Sequence, residues 1–411
     1  MTGKLLFIIL DGLGDRPIPE LGGKTPLEYA KTPNMDKFAE WGVTGIMDVI
    51  ETGQTPGSDT AHLALFGVDP FQYYTGRGPF EASGVGLTVK EGDIAFRVNV
   101  ATIDENGIIV DRRAGRIKEG TDEFIEQLNG IEIEGVQFLM KAGTEHRAAL
   151  VLRGKNLSDK VSANDPKVEG KAPYSFKALE DSESAEKTAR VLSEFAKKSH
   201  EILSDSSLNK QRIEAGKLAA NYLLIRGAGR VPKLPNFEKE YGLQTACVAG
   251  GGLYKGVARM LGMEIIEKDG MTGGTDTDVS LKAETAFDLL KTHDFIFLHF
   301  KGTDNYGHDG NYNGKVEFIE KVDKELYRFL PEKFKEELVI MISGDHSTPC
   351  SFKDHSADPV PLIICSSTCV KDDVKHFGER YAYNGGLGRI KGKHLMKLLL
   401  NELHLVEKFG A

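Results

Sequence analysis

Cysteine is scarce here, and the four that occur, Cys247, Cys350, Cys365 and Cys369, show no CxxC spacing. With no such motif for redox or metal chemistry, they read as free thiols in a reducing compartment. Long hydrophobic runs are also missing. Only six apolar residues precede Asp11, too few for a signal peptide, and nothing later approaches a membrane span, so the expectation is a cytoplasmic protein with no membrane partner. Positive charge is in deficit: Lys and Arg number 52 against 61 Asp and Glu, a net charge of −9. That argues against a nucleic-acid partner, although local arginine clusters can still hold small anions. Internal repeats and low-complexity tracts are absent, and no pattern fixes an oligomeric state.

A chain of 411 residues exceeds what one core usually organises, which points to two domains. Its 40% apolar and 27% charged content is that of a globular protein. Leu5–Leu10, Asp294–Phe300, Leu338–Ile342 and Pro361–Cys365 read as buried strands of a parallel sheet, with Thr245–Ala249 and Glu264–Ile266 beside them. Helices are predicted from Pro33, capped by Thr32 or Asn34, to about Trp41, and at 256–261, 278–291, 314–330 and 391–405.

Between residues 77 and 235 the texture changes. Ala95–Ile103 and Ile108–Val110 flank an Asn106-Gly107 turn, and Val136–Lys141 and Arg147–Leu152 form a second local pair. A polar loop spans 156–182, helical spacing covers 183–202 and 212–224, and Val231–Pro235 reads as a linker. The expected architecture is α/β: a doubly wound, mostly parallel sheet domain made of 1–76 and 236–411, interrupted by an inserted α+β domain over 77–235.

The buried strands end in chemistry. One closes on Asp11. Another leads to Asp304 and His308, which share a face if the segment makes a helical turn. A third closes on Asp345 and His346, with His355 ten residues beyond Asp345. Taken singly, an Asp-His pair at a strand end is either a polar turn or a pair of metal ligands. Their joint placement at carboxyl ends, where open α/β sheets bind ligands, favours a metal centre. Ser58, in Gly57-Ser58-Asp59-Thr60, starts a short helix and is either its cap or a nucleophile in the field of the helix N-terminus.

The set Asp11, Ser58, Asp304, His308, Asp345, His346 and His355 resembles the ligand pattern of the alkaline phosphatase superfamily. Within it, Leu10-Asp11-Gly12-Leu13-Gly14-Asp15, the Ser58 loop and Gly302-Thr303-Asp304 to His308 resemble the archaeal type of 2,3-bisphosphoglycerate-independent phosphoglycerate mutases. The resemblance implies an alkaline-phosphatase-like fold and two divalent metal ions. Asp304, His308 and His355 would hold one, and Asp11, Ser58, Asp345 and His346 the other. Manganese leads the expected metals, ahead of magnesium, zinc and cobalt, and no 2,3-bisphosphoglycerate is required.

It further implies phosphoglycerate as a small-molecule substrate, gripped by arginines of the insert. Arg112, Arg116, His146, Arg147, Arg226 and Arg230 are the residues the sequence offers, with planar guanidinium donors suited to phosphate and carboxylate. Lys255, in a Gly-rich stretch without Walker spacing, resembles the family's active-site lysine. Ser58, Lys255 and Arg226 are therefore the expected catalytic residues, and the activity is an isomerase of glycolysis and gluconeogenesis working through a phosphoserine on Ser58. A metal-dependent phosphatase, phosphodiesterase or phosphopentomutase of the same superfamily is the alternative.

Overall fold

The apolar run before Asp11 becomes the strand Lys4–Leu10 near the middle of an eight-stranded sheet. The computed structural model describes residues 3–328, 338–408 and 410, and the chain divides into two compact units, Met1–Tyr73 with Leu234–Ala411, and Tyr74–Lys233.

Strands of the first unit lie in the order Glu264–Ile266, Thr245–Val248, Phe295–Phe300, Lys4–Leu10, Leu338–Ser343, Val360–Cys365, Val43–Asp48, Gly388–Lys391. All are parallel except Val360–Cys365, which opposes both neighbours. Period-two alternation divides the central strand between two layers. Leu6, Ile8 and Leu10 face helices Pro33–Trp41, Val279–Leu289 and Tyr312–Arg328. Phe7 faces the other way, 5.4 Å from Phe66, which crosses Phe297 edge-on at 5.0 Å. Coverage on both faces explains why these strands are uninterrupted apolar runs.

Register sets the exit point. Leu10 pairs with Phe300 and Ile9 with Ser343, so three adjacent strands leave the sheet at one edge and deliver Asp11, Lys301 and Asp345 there.

The second unit is antiparallel. Ile94–Ile103 pairs with Ile109–Asp111 across the Asn-Gly turn, with Arg147–Arg153, and with Tyr222–Arg230. Val136–Ala142 and Ile131–Ile133 extend the sheet, and helix Glu183–Asp205 covers it, stacking Phe195 on Phe138 at 4.3 Å.

Three expectations need correction. Helical spacing over 212–224 gives way to a helix Ser207–Glu214 that stops before Gly216, at φ +71°, and to the strand Tyr222–Arg230. Its apolar residues Leu223, Leu224 and Ile225 fit either period, and pairing with Ile94–Ile103 decides for strand. Val43–Asp48 is a strand the sequence reading left unassigned, and Thr32 makes no side-chain cap bond; Asp323 instead accepts from the Asn34 and Met35 N–H groups. The helix expected over 314–330 is present as Tyr312–Arg328, residues 329 and 330 lying outside the described residues. The four cysteines are free, and among the described residues no helix is long and apolar enough to cross a membrane.

Beneath the sheet edge, the buried Glu379 carboxylate accepts from Thr25 Oγ1 at 2.6 Å and from the Asp15 N–H at 3.1 Å. Burial pushes its pKa up to about 7. The folded chain therefore keeps a proton that the unfolded chain loses above pH 4.5, and this residue's contribution to stability falls as pH rises from 4.5 to 7, by on the order of 3 kcal/mol in full. Glu379→Gln should flatten that part of the stability profile, as read by denaturant midpoints across the range.

Candidate active site

Asp304 and His308 lie one turn apart on helix Gly302–Asp309, which follows the strand Phe295–Phe300. Asp304 Oδ1 is 3.3 Å from His308 Nε2 and 3.5 Å from His355 Nε2. Each imidazole is oriented from behind by a backbone carbonyl: His308 Nδ1 donates to Lys353 O at 3.0 Å and His355 Nδ1 to Pro56 O at 2.9 Å. With Nδ1 of each ring held by a carbonyl, Nε2 is the nitrogen turned to the carboxylate, the orientation that metal-ligating histidines adopt.

A second set forms around His346. Its Nε2 stands 3.3 Å from Asp11 Oδ1, 3.3 Å from Asp345 Oδ2 and 3.3 Å from Ser58 Oγ. Those two carboxylate oxygens are buried and lack hydrogen-bond partners among the described residues. Burial lowers the His346 pKa to about 3, so the ring is neutral. Burial opposes the Asp11 charge, but Lys301 and His299 hold its pKa well below the ordinary value; Asp345, buried beside Asp11, is pushed well up. Orphaned carboxylate oxygens, a neutral imidazole and a hydroxyl converging in this way fit a divalent cation, and so does the first set.

Thr348 joins the two sets. Its hydroxyl donates to Asp304 Oδ1 at 2.8 Å and accepts from His346 Nδ1 at 3.0 Å, which leaves His346 Nε2 unprotonated. Close packing explains Gly12 in the first loop: at φ +63°, a Cβ there would lie 2.4 Å from Thr348 Oγ1 and 2.9 Å from Asp304 Cα. The Gly12 N–H donates to Asp345 Oδ1 at 3.0 Å.

Ser58 opens the helix Ser58–Leu65 with Gly57 as N-cap, so its hydroxyl sits where unpaired N–H groups favour negative charge. One turn on, His62 Nδ1 donates to Ser58 O at 2.7 Å. His62 is held neutral by burial, with a pKa near 3, and lies 3.5 Å from Asp345 Oδ2. Tyr254 stacks on His299 at 3.8 Å, and His299 Nε2 is 3.3 Å from Asp11 Oδ2. Sequence reasoning passed over His62, His299, Lys301 and Thr348. Polar side chains on the inner face of apolar elements were the available signal.

The second unit has its own polar cluster. Arg97 and Asn99 interrupt the apolar strand Ile94–Ile103 on one face, and the register sets Arg226 opposite Arg97 and Arg147 opposite Asn99. Asp165 ties the cluster together. It takes a bidentate pair from Arg112, Nε at 3.1 Å and a terminal nitrogen at 2.7 Å, and a further bond from Arg226. Burial opposes the Asp165 charge, but Arg112, the Lys167 N–H and Arg226 hold its pKa below the ordinary range. Arg97 shares Glu81 with Arg77, at 3.3 and 2.9 Å. His146, mostly buried beside Arg147, Arg113 and Arg226, is pushed down to about 4 by burial and by those charges. Arg97, Asn99 and Asp165 also escaped the sequence reading, although polar side chains on alternate positions of Ile94–Ile103 mark the first two.

Arg116 and Arg230 are not brought into this cluster. Arg230 donates to Gly92 O at 3.2 Å and Leu157 O at 2.6 Å, and lines a ≈750 Å³ cavity with Arg153 and Lys187. Arg116 lines another, of ≈530 Å³, with Arg212 and Lys217. Lys255, in the first unit, pairs with Glu267 one residue along from Tyr254.

Comparison with known proteins agrees with this chemistry. Residues 3–402 match the Metalloenzyme superfamily. A Pyrococcus horikoshii 2,3-bisphosphoglycerate-independent phosphoglycerate mutase is 51% identical over 99% of both chains, and its Methanosphaera stadtmanae counterpart 49% identical over 99% of this chain and 100% of its own. The chain belongs to this mutase family. Among solved structures, a Pyrococcus horikoshii protein superposes with a TM-score of 0.85 at 42% identity, covering 100% of both chains. A cofactor-independent phosphoglycerate mutase from Thermoplasma acidophilum gives 0.76 at 36%, covering 97% of this chain and 99% of its own. Membership in this superfamily of metalloenzymes agrees with the two ligand sets, whose donors fit divalent metal ions.

Within this mutase family member, Asp165 is the residue on which the arginine cluster hangs. Asp165→Ala should lower unfolding free energy by about 3 kcal/mol, because Arg112 and Arg226 lose a shared buried carboxylate, and urea denaturation of the variant beside its parent checks this.

Proposed function

We propose that the chain interconverts 3-phosphoglycerate and 2-phosphoglycerate, without 2,3-bisphosphoglycerate, by passing the phosphoryl group through Ser58. The supporting observation is the Ser58 hydroxyl itself, 3.3 Å from His346 Nε2 at a helix N-terminus and beside two carboxylates with unpaired oxygens. Asp304, His308 and His355 would hold one divalent ion, and Asp11, Ser58, Asp345 and His346 a second. Bound there, such ions lower the pKa of a hydroxyl and stabilise the oxygens of an in-line displacement. Manganese is our choice on the family resemblance, since the carboxylates suit it while the imidazoles equally accept zinc or cobalt.

Ser58 Oγ attacks phosphorus as its proton leaves. The bond from phosphorus to the substrate's 3-oxygen breaks, and that oxygen is protonated to give bound glycerate. After the glycerate turns, its 2-hydroxyl attacks the phosphoserine and the bond from phosphorus to Oγ breaks. Oγ is protonated as the 2-hydroxyl gives up its proton, which balances the one Ser58 passed to the 3-oxygen. The helix N-terminus favours the charge that develops on Oγ in both halves. Arginines of the second unit suit the other task, gripping the glycerate carboxylate so that it stays until the second transfer; Arg112, Arg147 and Arg226 are assigned to it, with Arg97 and His146. Arg230, whose bonds go to backbone carbonyls, is assigned to holding the insert's strands, and a cytoplasmic site of action belongs to the same reading.

Incubation with 3-phosphoglycerate and Mn²⁺, followed by acid quench and peptide mass spectrometry, should find phosphate on Ser58. Ser58→Ala should abolish that signal and cut isomerisation by roughly 10,000-fold or more. Inorganic phosphate accumulating without 2-phosphoglycerate would sink the mutase reading.

Loss of grip should change the partition between products. Arg226→Met is expected to release a larger share of inorganic phosphate per turnover than the parent, measured by a phosphate assay run alongside enolase-coupled detection. An unchanged ratio would remove Arg226 from the retaining role.

A further inference from the structure

Lys301 is the first residue beyond the strand Phe295–Phe300 and enters the centre between the two ligand sets. Its ammonium is 2.6 Å from Asp304 Oδ2 and 3.3 Å from Asp11 Oδ2, so one side chain bonds a carboxylate from each set. It does so on the oxygens turned away from the imidazoles of the two ligand sets, sharing Asp11 Oδ2 with His299 Nε2, 3.3 Å away. Asp304 meets His308 and His355 through Oδ1, and Asp11 meets His346 through Oδ1. The Tyr254 ring, centred 5.6 Å from the ammonium, lies on a further side. Asp345 keeps the same division by another means, with the Gly12 N–H on Oδ1 and Oδ2 left toward His346.

Asp11, Asp304 and Asp345 are each 2% exposed or less, and such grouped carboxylates need charge from somewhere. Lys301 is the cation in direct contact with two of them. Because it occupies their far oxygens, Asp11 Oδ1 and the Thr348-bonded Asp304 Oδ1 stay turned toward the ligating imidazoles, and Lys301 organises the centre for a metal while repelling one electrostatically. We propose that Lys301 is the resident counter-ion of the centre: its charge holds Asp11 and Asp304 in place in the metal-free protein and opposes each divalent ion that binds. Metal affinity is thereby set below what the same carboxylates would have alone, and stability without metal above it. The inference rests on the reading that these two sets hold divalent ions.

Chelator-stripped full-length protein, titrated with MnCl₂ by calorimetry and followed by thermal unfolding, tests it. In Lys301→Met the metal-free midpoint should fall by several degrees, saturating Mn²⁺ should restore the midpoint of the metal-loaded parent, and Mn²⁺ dissociation constants should tighten roughly tenfold. Lys301→Gln, polar but uncharged, should tighten binding to the same degree. Unchanged or weaker Mn²⁺ binding in either variant overturns the proposal, as does an equal loss of midpoint with and without metal, which would mean a packing role only. A parent that binds no Mn²⁺ overturns the metal reading itself and Lys301's part with it. A parent that binds while neither variant binds more tightly overturns the Lys301 proposal alone.

Discussion

Three carboxylates held out of water at one edge of a parallel sheet set the terms for everything around them. Burial makes each charge costly, and bringing Asp11, Asp304 and Asp345 together compounds the cost unless positive charge or hydrogen bonds offset it. The surroundings answer oxygen by oxygen. Backbone N–H, ammonium and hydroxyl donors take part of the valence, and imidazole nitrogens face the remainder. The fold can concentrate charge there because adjacent parallel strands end in register, so their first loop residues arrive together.

The second unit handles the opposite sign by the same logic. Its arginines stand on one face of an antiparallel sheet, where alternation separates them from the apolar core on the other face. Like charges at that density repel, and Asp165 and Glu81 each take two of them. What remains is a cationic surface with partly satisfied guanidiniums, suited to an anion that carries both a phosphate and a carboxylate.

Legibility in the sequence followed the physics of each feature. The central strands of the first unit were readable because burial on both faces forces unbroken apolar runs, whereas Val43–Asp48 and Gly388–Lys391, broken by Thr, Gly and charge, were not; Asp11, Asp304 and Asp345 stand out as the charges that end or follow such runs. The inserted hairpin was readable from Asn106-Gly107, whose backbone preference is local. Tyr222–Arg230 was not, since Leu223, Leu224 and Ile225 satisfy either period and only pairing with a distant strand resolves them. The antiparallel sense of Val360–Cys365 was hidden for a similar reason, because burial pattern carries no direction. Within the centre, chemistry-bearing types in turn-like settings were found, whereas His62 and His299 were lost among apolar neighbours and Thr348 among small polar loop residues. Arg116 and Arg230 bond differently from Arg112 and Arg226: Arg230 spends its donors on backbone carbonyls and Arg116 lines a separate cavity.

The carbonyls behind His308 and His355 have a quieter consequence. Lys353 and Pro56 contribute only main-chain oxygen, so the acceptor's place depends on backbone path, which at Pro56 includes the φ its ring fixes, and not on a side-chain functional group. Proton placement on both rings is thereby insulated from ordinary point substitution and vulnerable only to changes in loop path, such as an inserted or deleted residue. Pro56 also lies two positions before Ser58, so a shift in that loop would move the nucleophile and release a ring at the same time. A side-chain scan would pass over the most sensitive joint in the centre, and a scan of loop length would find it.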